Sequence, residues 1–183
     1  MKRFFPFLLF GFLGLTLVVS CQKWKDSKPF TDPRINNPYC NDPNAVNYNW
    51  GFPGRPDDSI CFYPTDVYVG KYLFVDSVLR TDNSFLYADS LTLQFYALSQ
   101  TKMAILGFCS AGDSLKLTVD RSMNAVVDSV IVGFGQSFCR TADTVSGTIQ
   151  KVLTDTTNKT FTVNFTVVSD TTVNFHTGTL IKQ

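Results

Sequence analysis

The sequence contains no glutamate and a single histidine, His176, and charged residues make up only 17% of it. An acid–base enzyme would therefore have to draw its proton-transfer groups from Asp, Tyr and Lys. Glu is also a good helix former, whereas Thr, Val, Phe and Tyr, which are abundant here, favour half-buried pleated surfaces. The composition predicts an all-β protein and argues against an enzyme.

The sequence also lacks an excess of positive or of negative charge. Without residues 1–20, 14 Lys and Arg stand against 15 Asp, which leaves a formal charge of −1. Nucleic acids and anionic membrane surfaces both reward a concentrated basic patch. We therefore expect no nucleic-acid partner.

The one long apolar run lies at the N-terminus. Lys2 and Arg3 precede an apolar stretch over residues 4–19, which is too short and wrongly flanked for a spanning helix and predicts a secretory signal peptide over residues 1–20. The sequence VVSC at residues 18–21 resembles the lipobox of bacterial lipoproteins, where the Cys is acylated and the preceding peptide removed. The resemblance implies a mature chain that begins at lipidated Cys21. The alternative is an ordinary signal peptide followed by an incidental thiol.

Residues 21–38 are predicted to form a flexible tether, because they are polar, contain Pro29, Pro33 and Pro38, and lack apolar periodicity. The start Gln22-Lys23 partly resembles the Gln-Lys-acidic export signal of surface lipoproteins in Bacteroidota, although Trp24 and Lys25 replace the acidic pair. The resemblance implies an outer-membrane lipoprotein exposed at the cell surface, with a periplasm-facing protein as the alternative. The membrane is then a partner through the lipid anchor.

Four cysteines remain for the mature domain, and four thiols allow three pairings. An exported chain meets oxidising conditions, in which an even number of cysteines usually pairs. Proximity along the chain favours the disulfides Cys40–Cys61 and Cys109–Cys139. A metal site is not predicted with any confidence, since one His and widely spread Cys match no zinc pattern.

A short motif occupies the segment predicted as a separate disulfide-closed module, residues 39–65. The sequence CNDPNAVNYN at residues 40–49, followed by DDSIC at residues 57–61, resembles the Cys-x-Asp-Pro-x-Ala-x-Asn-Tyr-Asn module of secreted and lipid-anchored proteins in Bacteroidota. The sequence departs from that module at residues 50–55 and lacks the Gly before Ser59. The resemblance implies that Cys40 and Cys61 pair.

The same module gathers oxygen donors of the kind that Ca²⁺ binds six to eight at a time. The candidate ligands are Asp42, Asn44, Asn47, Asn49, Asp57 and Asp58. The alternative is turn chemistry, because Asx side chains commonly satisfy neighbouring backbone groups and the alternating ladder of an EF-hand is absent. Apart from this possible Ca²⁺, no cofactor is expected.

From residue 66 onward the pattern changes to short alternating strands. Eight are predicted, over residues 67–79, 85–98, 102–108, 115–119, 125–134, 144–153, 160–168 and 172–181. We expect an antiparallel meander that closes into a small barrel with its first and last strands adjacent, or, as the alternative, a β-sandwich. The sequence GKY at residues 70–72 and the closing residues 177–183 resemble the ends of lipocalin-like β domains of Bacteroidota lipoproteins, which implies a lipocalin-like barrel.

No catalytic residue is predicted. Alternation in the last strand places His176 on the polar face with Asn174, which we interpret as solvent-facing, and no nucleophile motif accompanies it. The leading hypothesis is a membrane-anchored, non-enzymatic binding or interaction module at the cell envelope. Its partner would be a small apolar ligand or an envelope protein, and candidate aromatics for the barrel mouth are Phe74, Tyr87, Phe95, Tyr96, Phe108, Phe134 and Phe138. The alternatives are a structural or accessory protein or inhibitor with a filled core and, last, an enzyme.

Overall fold

The computed structural model describes residues 31–109, 114–129, 135–170 and 172–183, without the side chains of Phe138 and Thr141. The predicted signal peptide, the lipidation site Cys21 and the tether up to residue 30 lie outside the described residues. The described chain forms a small N-terminal module followed by a β-barrel.

The N-terminal described segment is held by short turns and a minimal sheet. A 3₁₀ turn over Pro33–Asn36 begins at Asp32, whose Oδ1 accepts the Arg34 N–H at 2.9 Å. Strand β1 (Pro38–Tyr39) pairs in parallel with β2 (Arg55–Pro56), and a second 3₁₀ turn covers Asp58–Ile60. The end of the predicted tether therefore takes a turn and enters a strand.

A short helix, α1 (Pro64–Tyr68), stands where the sequence predicts the start of the first long strand. Pro64 presets the helical backbone at the first position, and Asp66 Oδ2 accepts the Tyr63 N–H at 2.9 Å. The strand begins later, at Gly70, whose φ of 139° lets the chain leave the helix at an angle that a side chain would resist. The prediction of a strand from residue 67 was wrong because the alternation signal does not register this proline-led turn.

The remaining strands form the barrel. Their bounds are β3 (Gly70–Arg80), β4 (Phe85–Ala97), β5 (Lys102–Leu106), β6 (Leu115–Val119), β7 (Asn124–Val127), β8 (Gln136–Phe138), β9 (Arg140–Lys151), β10 (Thr160–Val168) and β11 (Val173–Lys182). Antiparallel pairs run β3-β4-β5-β6-β7-β9-β10-β11, and β11 returns to β3, which closes a ring of eight strands. The predicted barrel is confirmed, including the adjacency of its first and last strands, and the sandwich alternative is excluded.

Two predicted strands match the structure residue for residue, β6 and β10. The strand predicted over residues 125–134 ends at Val127, and β9 begins at Arg140 rather than at residue 144. The short β8 was not predicted, because three residues carry too little alternation to be recognised. It pairs with the first part of β9, beside β7, which pairs further along the same edge.

A glutamine side chain seals the gap between β7 and β8. The buried Gln136 amide accepts the Lys116 N–H at 2.8 Å and donates to the carbonyl oxygens of Lys116 at 3.3 Å and Asp128 at 3.2 Å. These are backbone groups of β6 and of the chain just after β7. The Lys116 carbonyl also accepts the Asp128 N–H at 2.9 Å, so the side chain chiefly satisfies the Lys116 N–H and the Asp128 carbonyl, for which a neighbouring strand would otherwise be needed.

Alternation fills the interior with apolar side chains. Each buried Val, Leu, Ile, Phe or Met contributes about 1.5–3 kcal/mol relative to exposure. The core consists of Tyr68, Tyr72, Phe74, Leu93, Phe95, Met103, Ile105, Leu115, Leu117, Val119, Ala125, Val127, Val145, Ile149, Phe161, Val163, Phe165, Val167 and Leu180. Helix α1 closes one end of the barrel, since the Tyr68 ring lies 4.5 Å from that of Phe161 and its hydroxyl donates to the Met123 carbonyl at 2.7 Å.

The N-terminal module lies at this closed end. Thr65 Oγ1 donates to the carbonyl oxygens of Ser99 and Gln100 in the β4–β5 turn, and the Arg121 guanidinium lies 5.8 Å from the centre of the Tyr48 ring. Both contacts involve turns at the same end as α1. The described N-terminal residues therefore reach the barrel at its closed end, and the other end of the barrel lies away from them.

Candidate functional site

The end of the barrel opposite α1, which we call the mouth, is where polar groups enter the interior. It is defined by Asp76 on β3, Tyr87 and Asp89 on β4, Phe108 after β5, and His176 on β11. The turns that connect β3 to β4 and β10 to β11 lie at this end, as does the disulfide Cys109–Cys139. The mouth is therefore the part of the interior farthest from α1 and the N-terminal module.

Asp76 occupies an inward position of β3. The inward set alternates as Tyr72, Phe74, Asp76 and Val78, so that a carboxylate stands among buried apolar side chains and is itself 3% exposed. Directly opposite on β11 lies Gly178, where a Cβ would collide with the Val75 carbonyl and would lie 2.7 Å from the Phe74 ring. The glycine lets the Val75 backbone and the Phe74 ring of β3 approach β11 closely.

His176 faces the same interior. Its register partners are Val78 on β3 and Phe165 on β10, both inward residues, and its side chain is 19% exposed. The prediction of a solvent-facing histidine was wrong: Val173 and Phe175 are on the outer face of the barrel, and the polar face of β11 points into the mouth. Alternation separates the two faces of a strand but does not say which one is inward.

The two side chains are in direct contact. His176 Nδ1 lies 2.6 Å from Asp76 Oδ2, and the contact is a hydrogen bond with Nδ1–H as donor, strengthened to an ion pair when the imidazole is protonated. With Nδ1 engaged, Nε2 is the ring nitrogen that is left for another partner. Asp76 thus orients the ring.

The other oxygen of Asp76 is unsatisfied. Among the described residues, Asp76 Oδ1 is buried and has no hydrogen-bond partner. A buried polar atom left without a partner costs about 1–3 kcal/mol, and more when the group is charged. An unpaired carboxylate oxygen in the described interior therefore marks a place where a donor is expected.

Aromatic rings border this polar pair. The Phe108 ring enters from the chain after β5 and lies 5.9 Å from the Phe74 ring and 5.9 Å from the Phe165 ring in edge-to-face geometry. Tyr87, inward on β4 beside Val78, is 49% exposed. These rings surround the polar pair with apolar surface.

The other predicted mouth aromatics are distributed differently. Phe74 and Phe95 are buried in the core, and Phe95 contacts Tyr72 near the closed end, with ring centres 4.7 Å apart. Tyr96 is 47% exposed on the outer face. Phe134 and the side chain of Phe138 lie outside the described residues.

A cleft of about 610 Å³ adjoins the rim of the mouth, between the β3–β4 and β10–β11 turns. Arg80, Asp170 and Asn174 are among its lining residues. The Arg80 guanidinium donates to Ser84 Oγ and to the Phe85 carbonyl, which keeps it at the turn and away from the Asp76 carboxylate.

Both predicted disulfides are present. Cys40–Cys61 has a Cα–Cα distance of 5.0 Å and closes the N-terminal module, and Cys109–Cys139, at 5.1 Å, ties the chain after β5 to the chain between β8 and β9. The second bridge lies at the mouth and fixes the segment that carries Phe108.

Three of the six predicted calcium ligands, Asp42, Asn47 and Asp57, use their side chains in local hydrogen bonds. Asp42 accepts the Asn44 N–H and the Tyr63 hydroxyl, and Asp57 accepts the N–H and hydroxyl of Ser59. The buried Asn47 amide bonds to the Ile60 carbonyl and the Phe62 N–H, and Asn49 has a left-handed φ of 59°. Asn44 lines a cleft between the module and the barrel, and Asp58 is exposed in the second 3₁₀ turn. Within the described residues, no three His, Cys, Asp or Glu side chains are grouped as metal ligands.

Sequence reasoning missed Asp76 and Gln136 as important polar groups. A signal for Asp76 exists, because within β3 it interrupts the inward apolar series of Tyr72, Phe74 and Val78. Gln136 has no such signal, since its role depends on where β6 and β7 pass in space.

No described helix has both the length and the apolar character needed to cross a bilayer. Comparison with known proteins finds no matching family model and no matching curated protein. Among solved structures, the chain is similar to a redesigned β barrel, with a TM-score of 0.40 and 14% sequence identity over 67% of this chain and 96% of that one.

Proposed function

We propose that this protein is a lipid-anchored, non-enzymatic binding module of the cell envelope that engages its partner at the barrel mouth. The anchor is the lipidated Cys21 implied by the lipobox resemblance, and the location is the outer membrane, with the surface-exposed face favoured. No catalytic residue and no nucleic-acid partner belong to this function.

The layout of the described chain supports this arrangement. The N-terminal module packs at the closed end, next to α1, so a tether that reaches back to Cys21 leaves from that end. The mouth lies at the opposite end of the barrel strands. An anchored molecule would then direct its mouth away from the membrane, toward a soluble ligand or another envelope protein.

The observation that carries the proposal is the contrast between a filled interior and a polar mouth. Rings and aliphatic side chains occupy the barrel from α1 up to Phe108, whereas Asp76 and His176 add an oriented polar pair at the mouth. Eight-stranded barrels either fill with side chains or hold one small ligand. The packing favours recognition at the mouth over storage of an apolar molecule deep inside.

A structural or accessory role is the second candidate, including that of an inhibitor. The same filled core favours it, because a packed barrel is a rigid platform whose outer surface can contact an envelope protein. The two functions differ in whether a ligand occupies the mouth.

Native mass spectrometry of the full chain, purified from membranes of its own host, tests the proposal. We expect the mass of an acylated chain starting at Cys21, two disulfides, and a non-covalent adduct that collisional activation removes. The adduct should be lost in the variant Tyr87→Ala and retained in Tyr96→Ala, which alters an outward tyrosine of the same strand. An acylated chain without an adduct would favour the structural role, and an unacylated chain would overturn the anchor.

A further inference from the structure

We propose that the mouth binds a primary ammonium group of a small organic cation, held by the free oxygen of Asp76. This inference rests on the proposed function, because it gives the chemistry of the ligand that the mouth would engage. It starts from the unsatisfied Asp76 Oδ1, which lies in the described interior, 3% exposed as a residue and without a hydrogen-bond partner.

Hydrogen-bond polarity sets the first requirement on the ligand. An ionised carboxylate accepts only, so Oδ1 requires a donor. His176 does not supply it, since the ring contacts Oδ2 through Nδ1 and Oδ1 has no partner among the described residues. Any group that satisfies the pair must therefore bring its own donors.

The charge of the mouth sets the second requirement. Asp89 lies directly opposite Asp76 in the β3–β4 register and on the same face, so two carboxylates are neighbours across the strands. Like charges in that position are unfavourable unless a cation intervenes. Asp89 Oδ1 accepts the N–H of Ser90, and the nearby Arg80 is engaged at its turn. The neighbouring carboxylates of Asp76 and Asp89 favour a cationic ligand between them, while the Arg80 cation is held at the β3–β4 turn.

A primary ammonium group suits the acceptors at the mouth. It has three N–H donors and no acceptor. The mouth presents the buried Asp76 Oδ1 and the exposed carboxylate of Asp89 as acceptors on neighbouring strands. Because Asp76 Oδ1 is itself buried, the His176 ring, which is 19% exposed, is the side chain that must shift for the ammonium group to reach this oxygen.

The aromatic residues at the mouth indicate which chemical group should carry the ammonium. Phe108, packed between Phe74 and Phe165, and the half-exposed Tyr87 offer aromatic surface beside the polar pair. Ring faces attract cations and accept apolar groups. A cation with an aromatic or apolar body fits this surface better than a fully hydrated ion does.

The single histidine makes the test specific. In the NMR spectrum of the mature lipoprotein in detergent micelles, the imidazole Cε1–H and Cδ2–H signals come from His176 alone. We would titrate 2-phenylethylammonium and compare it with 2-phenylethanol and phenylacetate, which keep the ring and change the charge. We expect a saturable shift with the ammonium compound at up to about 10 mM and at least about tenfold weaker responses to the other two.

Variants then locate the contact. Asp76→Asn should weaken binding by about tenfold or more, and Asp89→Asn by a smaller factor. Asp82→Asn, in the nearby β3–β4 turn, is the matched control and should leave binding unchanged. Dispersed methyl signals would show that each variant is folded. If Asp76→Asn does not fold, the comparison of the three compounds on the unaltered protein still tests whether the mouth prefers an ammonium group.

Four outcomes would overturn the inference. They are equal responses to the alcohol and the ammonium compound, unchanged binding in folded Asp76→Asn, no shift at all, and a response to ZnCl₂ without one to the ammonium compound. No shift would mean that a buried water, and not a ligand, donates a hydrogen bond to Asp76 Oδ1. The proposed function would still stand if native mass spectrometry showed an adduct, so the two failures are distinguishable.

Discussion

Asp76 and His176 are 100 residues apart in the sequence, yet their side chains meet at 2.6 Å across the first and last strands of the barrel. The pair joins β3 to β11, the two strands whose contact closes the ring. It also places an oriented imidazole at the mouth. One contact thus bears on both the closure of the fold and the proposed binding site.

The pair should be coupled in stability. His176→Ala removes the donor to Asp76 Oδ2 and leaves a buried carboxylate unpaired, which we expect to cost about 2–3 kcal/mol of unfolding free energy. The double variant with Asp76→Ala should cost less than the two single changes together, because it leaves no buried charge behind. Urea unfolding measures this cycle. Additive single effects would contradict the coupling, and Thr177→Ala, on the outer face, is the control.

The Gln136 amide should be needed to seal the barrel. Gln136→Leu keeps an apolar shape but removes the partner of the Lys116 N–H and a donor to the Asp128 carbonyl, at an expected cost of about 1–3 kcal/mol. The Lys116 amide should then exchange its hydrogen faster, as NMR can show. Gln150→Leu, at an exposed position on β9, should leave that exchange rate unchanged. Equal protection of Lys116 in both variants would show that the side chain is not part of the seal.

Tyr68 and Tyr72, at the closed end, should differ in how much their hydroxyl groups stabilise the fold. The Tyr68 hydroxyl donates to the Met123 carbonyl at 2.7 Å, whereas the Tyr72 hydroxyl reaches the Val67 carbonyl only at 3.4 Å. Tyr68→Phe should therefore cost about 1 kcal/mol of unfolding free energy and Tyr72→Phe less. A larger loss in Tyr72→Phe would contradict the assignment.

The same tyrosines predict a sensitivity to high pH. Burial raises the pKa of both phenols above their ordinary value, so the folded state holds its protons more tightly than the unfolded chain. Stability is fully present below the ordinary phenol pKa of about 10 and falls as the pH rises above it. Urea midpoints between pH 8 and pH 11 check the sign, and Tyr68→Phe should flatten the fall.

The disulfide Cys40–Cys61 should stabilise the N-terminal module and spare the barrel. Its two cysteines are 21 residues apart, and closing a loop of this order contributes about 3 kcal/mol in the chain-entropy model. Cys40→Ser with Cys61→Ser should speed proteolysis within residues 40–61 while the barrel amides stay protected. Loss of protection throughout the barrel would show that the module and barrel fold as one unit.

The lipid anchor has its own test. Cys21→Ser should leave an unprocessed or soluble protein, because the acyl acceptor is gone. Fractionation of host membranes measures the change, with Ser20→Ala as the control that keeps the thiol. Unchanged membrane association of a processed Cys21→Ser protein would rule out lipidation at this residue.

Most of the barrel can be predicted from its alternating segments. The predicted bounds of β6 and β10 agree with the structure residue for residue, because apolar and polar side chains alternate cleanly in both strands. The turn between β9 and β10 is equally local in origin. Its Asp155 accepts the N–H groups of Thr157, Lys159 and Thr160, and its bonds to Thr157, followed by those to the other amides, hold its pKa well below the usual range. Such features can be predicted from the sequence because they depend on neighbouring residues alone.

The two polar features of the interior depend instead on where strands meet. Alternation assigns His176 its companions on one face of β11 but not the direction of that face, which is set by the pairing of β11 with β3. Gln136 has its role because β6 and the end of β7 pass within reach of its amide. Local periodicity and residue counting thus suffice for the strands, the barrel and the even set of cysteines. The buried pair and the seal arise only when the ring closes, because each joins residues that no local pattern relates.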